Sequence, residues 1–464
     1  LYLQLNAKST FVDEPTWFTK VEYMQEQLRG YDYQDDLFTP GYFELPIKKG
    51  ESVVFAASLS ELSPSTLKTR CTKEVEGRPD RSDFVHCLVH SADQFIIRRN
   101  GATEVIAGYP WFGRWGRDTF IALPGITLYA NNEIKKCKEV LDTMARELRG
   151  GLFPNIGKDQ HAAFNSVDAP MWFFWTLQQY QKFTNDAAEI WANYGAQMKS
   201  ILRAYHNGTD NIQMHPNGLI WAAEEGKALT WMDAIVDGKP VTPRAGYQVE
   251  INALWYNAVV YALHLAREFK DDAFEREFAM IPALIEANFF NTFWVEDRQH
   301  LADYVDESGQ NSYNRPNQVI VTALDHSPVS DFTKAKILDA VQRELLTPKG
   351  LRTLSPKHPL YCGVYDGDQA TRDRAYHQGT VWPWLLGAYF EGNFKLYGKA
   401  FLAKAKWMIE KFEDDIADYG IGSVAEVYDG DMPYLPGGCI SQAWSVGELI
   451  RCIRMIEKIE SKKC

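Results

Sequence analysis

The chain has 464 residues, a formal net charge of −12 and a pI near 5.4. This acidic balance disfavours electrostatic capture of nucleic acid or of an anionic membrane surface, so neither is predicted as a partner. The 7 cysteines are scattered, odd in number and without C-x-x-C spacing, which argues against a disulfide framework or a zinc site and favours a reducing cytoplasm.

Residues 1–70 are predicted to form short strands. Three extended runs, at residues 1–5, 41–47 and 52–57, are bounded by turn signals such as Pro40-Gly41 and Lys49-Gly50. We interpret residues 1–70 as the C-terminal part of a β-sandwich-like domain with a linker, and we expect the earlier strands of that domain to be missing from this chain.

From about residue 82 the apolar periodicity becomes helical. No helical segment is an apolar run of about 18 residues, so no membrane span is predicted. Alternating short and long connections predict an all-α fold over residues 71–464, six helical hairpins closed into an (α/α)6 toroid barrel, although an open solenoid has the same periodicity. The predicted helices cover residues 83–99, 117–129, 133–148, 169–183, 186–205, 249–269, 271–290, 318–324, 331–346, 381–396, 399–412 and 440–459.

Four connections are longer than is usual in a compact domain, and connections of that length are more often functional. They cover residues 207–247, 293–317, 347–379 and 419–438. Aromatic residues make up 13% of the chain, and many lie in such loops beside Gly, Pro and Asp, where they can stack on the apolar faces of sugar rings. A carbohydrate ligand is therefore favoured over a hydrophobic one.

The segment 108–119 combines two arginines, two tryptophans and several glycines at the start of a predicted helix. Arg117 and Asp118 can donate to and accept from neighbouring sugar hydroxyls, while Trp115 or Trp111 supplies a stacking face. The structural alternative is that Asp118 caps the helix and Arg117 pairs with it.

The run from Trp115 to Leu123 resembles the α-1,6-glucosidase region of glycogen debranching enzymes, and its Trp-x-Arg-Asp core is also similar to glucoamylases. The resemblance extends over roughly residues 82 to 460 in the order of that family. It continues through residues 151–155, 166–172, 230–233, 243–244, 249–255, 376–379 and 441–445.

This resemblance implies an (α/α)6 barrel that hydrolyses the α-1,6-linked glucose left at a trimmed glycogen branch, with inversion at the anomeric carbon. A branched α-glucan is then the partner, and neither a cofactor nor an oligomeric state is predicted. Eukaryotic members join this region to a glucanotransferase barrel, which this sequence lacks. Only the glucosidase step, or a single-activity variant of bacterial type, is expected here.

Two acidic residues in aromatic loops are the predicted catalytic pair, because glycoside hydrolysis requires one carboxyl as acid and a second as base or nucleophile. Asp233 stands where the family has its general acid, and its apolar neighbours are expected to raise its pKa. Its nearest rivals are Glu224 and Glu225, and the structural alternative is a helix-capping aspartate.

Glu426 lies in a Gly-rich loop that resembles the glucoamylase loop carrying the catalytic base. Asp429 and Asp431 follow closely and are alternatives. For an inverting enzyme, the carboxyl groups of Asp233 and Glu426 are expected to be about 6.5 to 9.5 Å apart, which leaves room for a water molecule.

Further residues are predicted to bind the sugar, each with a structural alternative. Asp168 is well placed to cap a helix, Glu250 suits a helix N-terminus, and a lone histidine such as His377 is often only a structural hydrogen-bonding group. Gln442 and Trp444 are expected to lie behind the sugar-binding residues. The predicted set of sugar-binding residues is Trp115, Arg117, Asp118, Asp168, Trp231, Arg244, Glu250, Asn252, His377, Gln378, Trp382 and Trp384.

No metal is predicted, because the Asp-Gly-Asp triplets at 366–368 and 429–431 do not continue into a calcium-loop pattern. Three functions compete with debranching: a glucoamylase-like or trehalase-like hydrolase, a phosphorylase, and a non-catalytic glycan-binding barrel. Phosphorolysis is disfavoured because the carboxylate of Glu426 would repel the phosphate.

Overall fold

The computed structural model describes residues 1–157 and 162–461. Backbone packing divides the chain into two units, one of Leu1–Asp80 with Gly367–Gln369 and one of Arg81–Asp366 with Ala370–Cys464. The assignment of residues 1–70 to a β-domain stays a prediction.

The first unit contains two antiparallel strand pairs. Strand β1 pairs with β4, and β2 pairs with β3 over a long ladder. The sequence analysis did not predict β2, because Asp13-Glu14-Pro15 interrupts its alternation, and the ladder has a register shift between Asp13 and Thr16. The elements are β1 (Tyr2–Leu5), β2 (Thr10–Glu22), α1 (Met24–Leu28), β3 (Gln34–Glu44), β4 (Phe55–Ser58) and α2 (Pro64–Gly77).

The chain after residue 81 is mainly helical. A π-helical segment, Pro124–Tyr129, extends α4, and 3₁₀ turns precede α14 at Pro383–Leu385 and α15 at Gly398–Phe401. The helices are α3 (Phe84–Gln94), α4 (Gly116–Leu123), α5 (Ile134–Arg146), α6 (Ala169–Thr184), α7 (Ala187–Asn207), α8 (Val249–Glu268), α9 (Asp272–Phe278), α10 (Ile281–Phe293), α11 (Gln318–Ala323), α12 (Asp331–Glu344), α13 (Gln369–Tyr376), α14 (Leu386–Tyr397), α15 (Leu402–Glu413) and α16 (Ala443–Ser461).

Six of these helices pack side by side in a closed sequence: α4 on α6, α6 on α8, α8 on α11, α11 on α14, α14 on α16, and α16 back on α4. Every residue of α4 and of α11 is buried, as expected for helices surrounded by protein. The α4–α16 packing depends on Gly125 and Gly447, since a Cβ on Gly125 would lie 2.1 Å from the Gly447 carbonyl oxygen.

The remaining long helices of this unit pack against that inner set with one face. In α15, for example, the buried residues Ala405, Met408 and Phe412 follow a helical period, and the other side is solvated. Helices α3, α5, α7, α10, α12 and α15 form this outer layer, which contacts the inner helices or the π-helical segment. The core lies between the two layers.

Short strands occupy the connections between the helices. The largest sheet of the described residues has the antiparallel order β17-β18-β19-β20-β21. Trp382 lies in β19, which pairs with β20, and β20 begins directly after Glu426. Strand β22 pairs with β7, which aligns Gln442 with Gly108. The strands are β5 (Ile96–Arg99), β6 (Ala102–Val105), β7 (Gly108–Tyr109), β8 (Ile212–Met214), β9 (Ile220–Ala222), β10 (Ile235–Val236), β11 (Lys239–Pro240), β12 (Tyr247–Gln248), β13 (Trp294–Val295), β14 (His300–Leu301), β15 (Tyr304–Asp306), β16 (Gly309–Asn311), β17 (Leu346–Thr347), β18 (Gly350–Arg352), β19 (Val381–Trp382), β20 (Val427–Tyr428), β21 (Pro436–Gly437) and β22 (Ser441–Gln442).

Most predicted helices are confirmed within a few residues, and two of the differences are instructive. The predicted helix at 271–290 is divided into α9 and α10, with Pro282 in the first turn of α10, where its ring is tolerated. The predicted helix at 381–396 begins at Leu386 instead, because residues 381–382 pair with strands on both sides.

In the described part of the chain, no helix combines the length and the apolarity needed to cross a bilayer. The six described cysteines form no disulfide. A cytoplasmic location stays a prediction.

Candidate active site

One cavity brings both predicted catalytic carboxyl groups together. The N-terminal ends of α4 and α16 form part of its wall, and the loop before β10 and the segments before β20 and α14 complete it. The lining residues are Phe112, Trp115, Arg117, Asp118, Trp231, Asp233, Tyr376, Trp382, Glu426, Gln442 and Trp444.

A wider cleft lies between residues 128–132 and the C-terminal half of α16. The described residues that line it include Lys182, Arg454 and Lys458 but no carboxylate. Hydrolysis of a glycosidic bond by paired carboxyl groups therefore has no basis there.

Arg117 links two acidic residues, Asp168 behind the cavity lining and Asp233 within it. Its Nε donates to Asp168 Oδ2 at 2.7 Å, and its Nη1 donates to Asp233 Oδ2 at 3.0 Å. Asp168 occupies the N-cap position of α6 but does not cap it with its side chain, and Ser166 Oγ accepts from the Ala169 N–H instead. Asp168 lies outside the cavity lining, so the structure places it as the residue that holds Arg117.

Asp233 has one carboxylate oxygen bound and the other available. Arg117 occupies Oδ2, and no other described side chain donates to Asp233. Its side chain is 28% exposed, towards the cavity. Burial raises the pKa of Asp233, and this effect outweighs the opposing attraction of the Arg117 guanidinium. Oδ1 can therefore carry a proton into the cavity.

Glu426 is 2% exposed, and both of its oxygens accept hydrogen bonds. The Tyr376 hydroxyl donates to Oε1, and the Cys439 backbone N–H donates to Oε2 at 2.7 Å. Burial raises the pKa of Glu426 to about 7, whereas the two hydrogen bonds act in the opposite direction because they favour the ionised form.

Asp118 is a third carboxyl group in the same cavity, in the first turn of α4. Burial raises its pKa to about 7, although Arg117 opposes this, while Asp233 and Glu426 add to the increase. Three carboxyl groups around a single buried arginine cannot all be ionised at low cost near neutral pH, so the cavity retains protons there.

An aromatic wall faces these carboxyl groups. Trp231 packs edge-on against Trp382 at 5.4 Å and against Trp384 at 5.2 Å, and Trp384 stacks on Trp444 at 5.1 Å. Trp231, Trp382 and Trp444 line the cavity, whereas Trp384 lies behind them. Ring faces of this kind suit the apolar faces of a sugar.

Arg244 and Glu250 were predicted to bind sugar, but they belong to a buried ion-pair cluster. The Arg244 guanidinium donates to both oxygens of Glu250, at 2.5 and 2.6 Å, and to both oxygens of Asp303, at 2.8 and 3.1 Å. Its Nη1 also donates to Thr230 Oγ1 at 3.0 Å, next to Trp231. The cluster lies outside the cavity lining and holds the loop that carries Trp231 and Asp233.

Asn252 is likewise outside the lining, and its amide is bound by main-chain groups. Its Oδ1 accepts from the Ile220 N–H at 2.7 Å, and its Nδ2 donates to the carbonyl oxygens of Ile220 and Gln248. This placement gives its predicted contact with sugar no support.

His377 and Gln378 also lie behind the cavity. The His377 ring is fully buried and stacks on Trp382 at 5.6 Å, and neither of its nitrogens has a hydrogen-bond partner among the described residues. Burial lowers its pKa well below the ordinary value. Gln378 accepts from Arg315 at 2.8 Å. His377 therefore supports the aromatic wall, and neither residue lines the cavity.

The rival carboxyl groups lie elsewhere. Asp429 Oδ1 accepts from the Tyr365 N–H at 2.7 Å, and Asp431 accepts from the Tyr361 hydroxyl at 2.9 Å. Glu224 pairs with Lys227 beside a separate small cavity. Neither these residues nor Glu225 line the cavity that contains Asp233 and Glu426.

The sequence analysis missed three residues that the site depends on. Phe112 and Tyr376 line the cavity, and Asp303 completes the Arg244 cluster. Tyr376 immediately precedes His377 in the run 376–379, which the sequence analysis had already identified by its resemblance to the family. That run was the available signal, since a tyrosine hydroxyl can donate to a catalytic carboxylate. No local pattern marks Asp303, because its partner is 59 residues away. The described residues contain no group of His, Cys, Asp and Glu that is arranged to hold a metal ion.

Comparisons with known proteins show the family of this chain. Residues 90–451 match the family model described as amylo-alpha-1,6-glucosidase, and residues 1–54 match the glycogen debranching enzyme N-terminal model. The glycogen debranching enzyme of Saccharomyces cerevisiae is 25% identical over 411 aligned positions, which cover 66% of this chain and 27% of the yeast protein. The chain thus spans about a quarter of the length of that relative.

Two solved structures share the fold. A GH63 mannosylglycerate hydrolase from Thermus thermophilus, in complex with Tris, superposes with a TM-score of 0.55 at 12% identity and covers 79% of this chain and 99% of its own. An uncharacterised conserved protein from the same organism gives a TM-score of 0.54 at 13% identity, covering 78% and 99%. At these identities the likeness shows a shared helical fold and nothing finer.

Proposed function

Because this chain belongs to the amylo-alpha-1,6-glucosidase family, we propose that it is a glycoside hydrolase that removes α-1,6-linked glucose at the branch points of glycogen-type α-glucans. One observation carries the proposal: Asp233 and Glu426 line the same cavity, together with Trp115, Trp231 and Trp382. A branched α-glucan is the proposed partner, and the tryptophans are proposed to hold its terminal glucose.

The hydrogen bonds of the two carboxyl groups support the assignment of acid and base. Glu426 accepts a hydrogen bond at each oxygen, and these bonds favour its carboxylate form, as a general base requires, although burial raises its pKa to about 7. Asp233 keeps Oδ1 free of other side chains, and burial favours its protonated form, as a general acid requires. Asp233 is therefore the proposed acid and Glu426 the proposed base.

In the proposed reaction, Asp233 Oδ1 transfers its proton to the glycosidic oxygen while the bond between that oxygen and the anomeric carbon breaks. Glu426 accepts a proton from a water molecule whose oxygen bonds to the anomeric carbon from the opposite face. The products are the shortened glucan and glucose of inverted configuration, and Glu426 then returns a proton to the solvent while Asp233 regains one. Arg117 and Asp118 are proposed to bind hydroxyl groups of the departing glucose.

We further propose that the helices around this site form a complete (α/α)6 toroid. The closed packing sequence of α4, α6, α8, α11, α14 and α16, with one outer helix or helix pair beside each, supports this architecture.

The test uses a dextrin with a single α-1,6-linked glucose and follows the first anomer released by NMR. The β-anomer is expected first, because attack from the opposite face inverts the α-linkage. In Asp233→Asn and Glu426→Gln, kcat should fall about 10²- to 10⁴-fold while dextrin binding, measured by calorimetry, survives.

Asp429→Asn is the matched control, since Asp429 is a nearby acidic residue outside the cavity and an amide oxygen can still accept from Tyr365. It should leave kcat unchanged. Release of the α-anomer, or loss of activity in Asp429→Asn but not in Glu426→Gln, would refute the proposed mechanism.

A further inference from the structure

The hydroxyl of Tyr376 is the side-chain donor that reaches Oε1 of Glu426. Tyr376 is the last residue of α13, and its side chain lines the cavity next to the base. The other oxygen, Oε2, is held by the Cys439 backbone, which no side-chain substitution removes. The hydrogen bond from Tyr376 to Oε1 can therefore be removed selectively by a side-chain substitution.

The tyrosine ring is held on several sides. It stacks on Tyr365 with ring centres 5.4 Å apart and an interplanar angle of 28°, and it packs against Trp382 at 4.8 Å. Trp382 Nε1 also donates to the Tyr376 carbonyl oxygen at 3.0 Å. The hydroxyl is thus fixed in direction before any substrate binds, which is what a preorganised catalytic contact requires.

The groups around Glu426 make this contact important. The acidic groups that face Glu426 are Asp233, Asp118 and the buried thiol of Cys439, and the phenols of Tyr365 and Tyr376 also face it. Among the described residues that line the cavity, only Arg117 carries positive charge, and the hydrogen bonds of its guanidinium go to Asp168 and Asp233. Burial raises the pKa of Tyr376 itself well above its ordinary value, so its hydroxyl remains a donor throughout the working pH range.

We propose that Tyr376 is the positioning residue of the catalytic base: its hydroxyl fixes the direction of the Glu426 carboxylate by donating to Oε1. This proposal rests on the assignment of Glu426 as the base. It concerns a contact on the base and not on the sugar, so its signature is a change in pH dependence more than in substrate affinity.

The experiment compares Tyr376→Phe with Tyr365→Phe, its matched control. Both substitutions remove one phenolic oxygen and keep a stacked aromatic ring, but the Tyr365 hydroxyl is directed to Arg372 and makes no hydrogen bond to Glu426. Rates of glucose release from the singly branched dextrin are measured between pH 4 and pH 9, and thermal unfolding confirms that both variants fold.

In Tyr376→Phe, kcat should fall about 10- to 100-fold with KM changed less than about twofold, since a hydrogen bond to a charged group is lost at the base. The limb of the kcat/KM profile that reports Glu426 should move by about one unit to higher pH, because the ionised form has lost a donor, while the other limb stays in place. Tyr365→Phe should reproduce the parent profile.

Two results would overturn the proposal: a Tyr376→Phe profile that matches the parent, or a uniform loss of rate with both limbs unmoved, which indicates a purely structural role. These results differ from failure of the proposed function, in which the parent protein itself releases no glucose from the dextrin.

Discussion

Substitution of Arg244 by alanine distinguishes the two roles that this residue was given. The sequence analysis predicted that Arg244 binds sugar, whereas the structure places it in a buried cluster with Glu250 and Asp303. The side chains of these three residues are 2%, 1% and 0% exposed. In Arg244→Ala two buried carboxylates lose their shared partner, and Asp303 keeps the Asn317 amide at 2.7 Å and the Arg315 guanidinium at 3.7 Å.

Breaking a buried ion pair by removing one partner costs about 3–5 kcal/mol. That is a large part of the roughly 5–15 kcal/mol that stabilises a folded domain. The matched control is Arg267→Ala, because Arg267 also pairs with a glutamate, Glu275, at 2.6 Å, but with side chains that are 57% and 34% exposed. Exposed pairs of this kind contribute about 0–1 kcal/mol.

The assay is urea unfolding followed by fluorescence of the buried tryptophans, with dextrin hydrolysis measured at low urea. Arg244→Ala is expected to unfold at a clearly lower urea concentration than Arg267→Ala and to lose kcat, because Thr230 and the loop with Asp233 are released. If the two variants unfold within about 1 kcal/mol of each other and only the KM of Arg244→Ala rises, then Arg244 contacts sugar and the structural role is refuted.

Two further predictions concern pH and steric fit. Burial opposes the ionised form of Asp325, but the ammonium groups of Lys182 and Lys395 outweigh the effect of burial and lower the pKa of Asp325 to about 2. The ionised carboxylate therefore contributes about 2 kcal/mol of stability above pH ~4, and this contribution is lost as the pH falls from 4 to 2. The difference in urea midpoint between the parent and Asp325→Asn should therefore close over that range, and a difference that persists at pH 2 would contradict the assignment. In Gly438→Ala the added Cβ would lie 2.4 Å from Oε2 of Glu426, so kcat should fall sharply. Gly398→Ala is the control, because Gly398 also has a positive φ but no atom lies within 4 Å of an added Cβ, so kcat should be unchanged. Equal kcat in the two variants would contradict the predicted clash with Glu426.

The helices could be predicted where the periodicity is long and locally complete. Residues 169–183 were predicted as a helix and form α6, Ala169–Thr184. Residues 369–376 were assigned to a long loop but form α13, which has few apolar residues and little amphipathic pattern. Residues 381–382 were predicted as helical and form β19 instead, because strands from distant parts of the chain pair with them.

For the predicted site residues too, the sequence identified suitable residue types, and the structure decided which of them lie together. Trp115, Arg117, Asp118, Asp233 and Glu426 were named from their residue type and their loops, and the structure collects them in one cavity. Their roles in catalysis and sugar binding stay proposals.

By itself, the sequence determined where the helices run and which side chains are chemically able to serve as acid, base or stacking surface, because periodicity and residue type are local properties. The tertiary structure decided which of those side chains are available. Arg244 and Glu250 are no less suitable for binding sugar than Arg117 and Asp118, yet they satisfy each other and Asp303 beneath the loop. Desolvation and charge pairing, which fix the protonation of a carboxyl group, depend on neighbours that are distant in the chain, so only the folded molecule distinguishes a catalytic carboxyl group from a structural one.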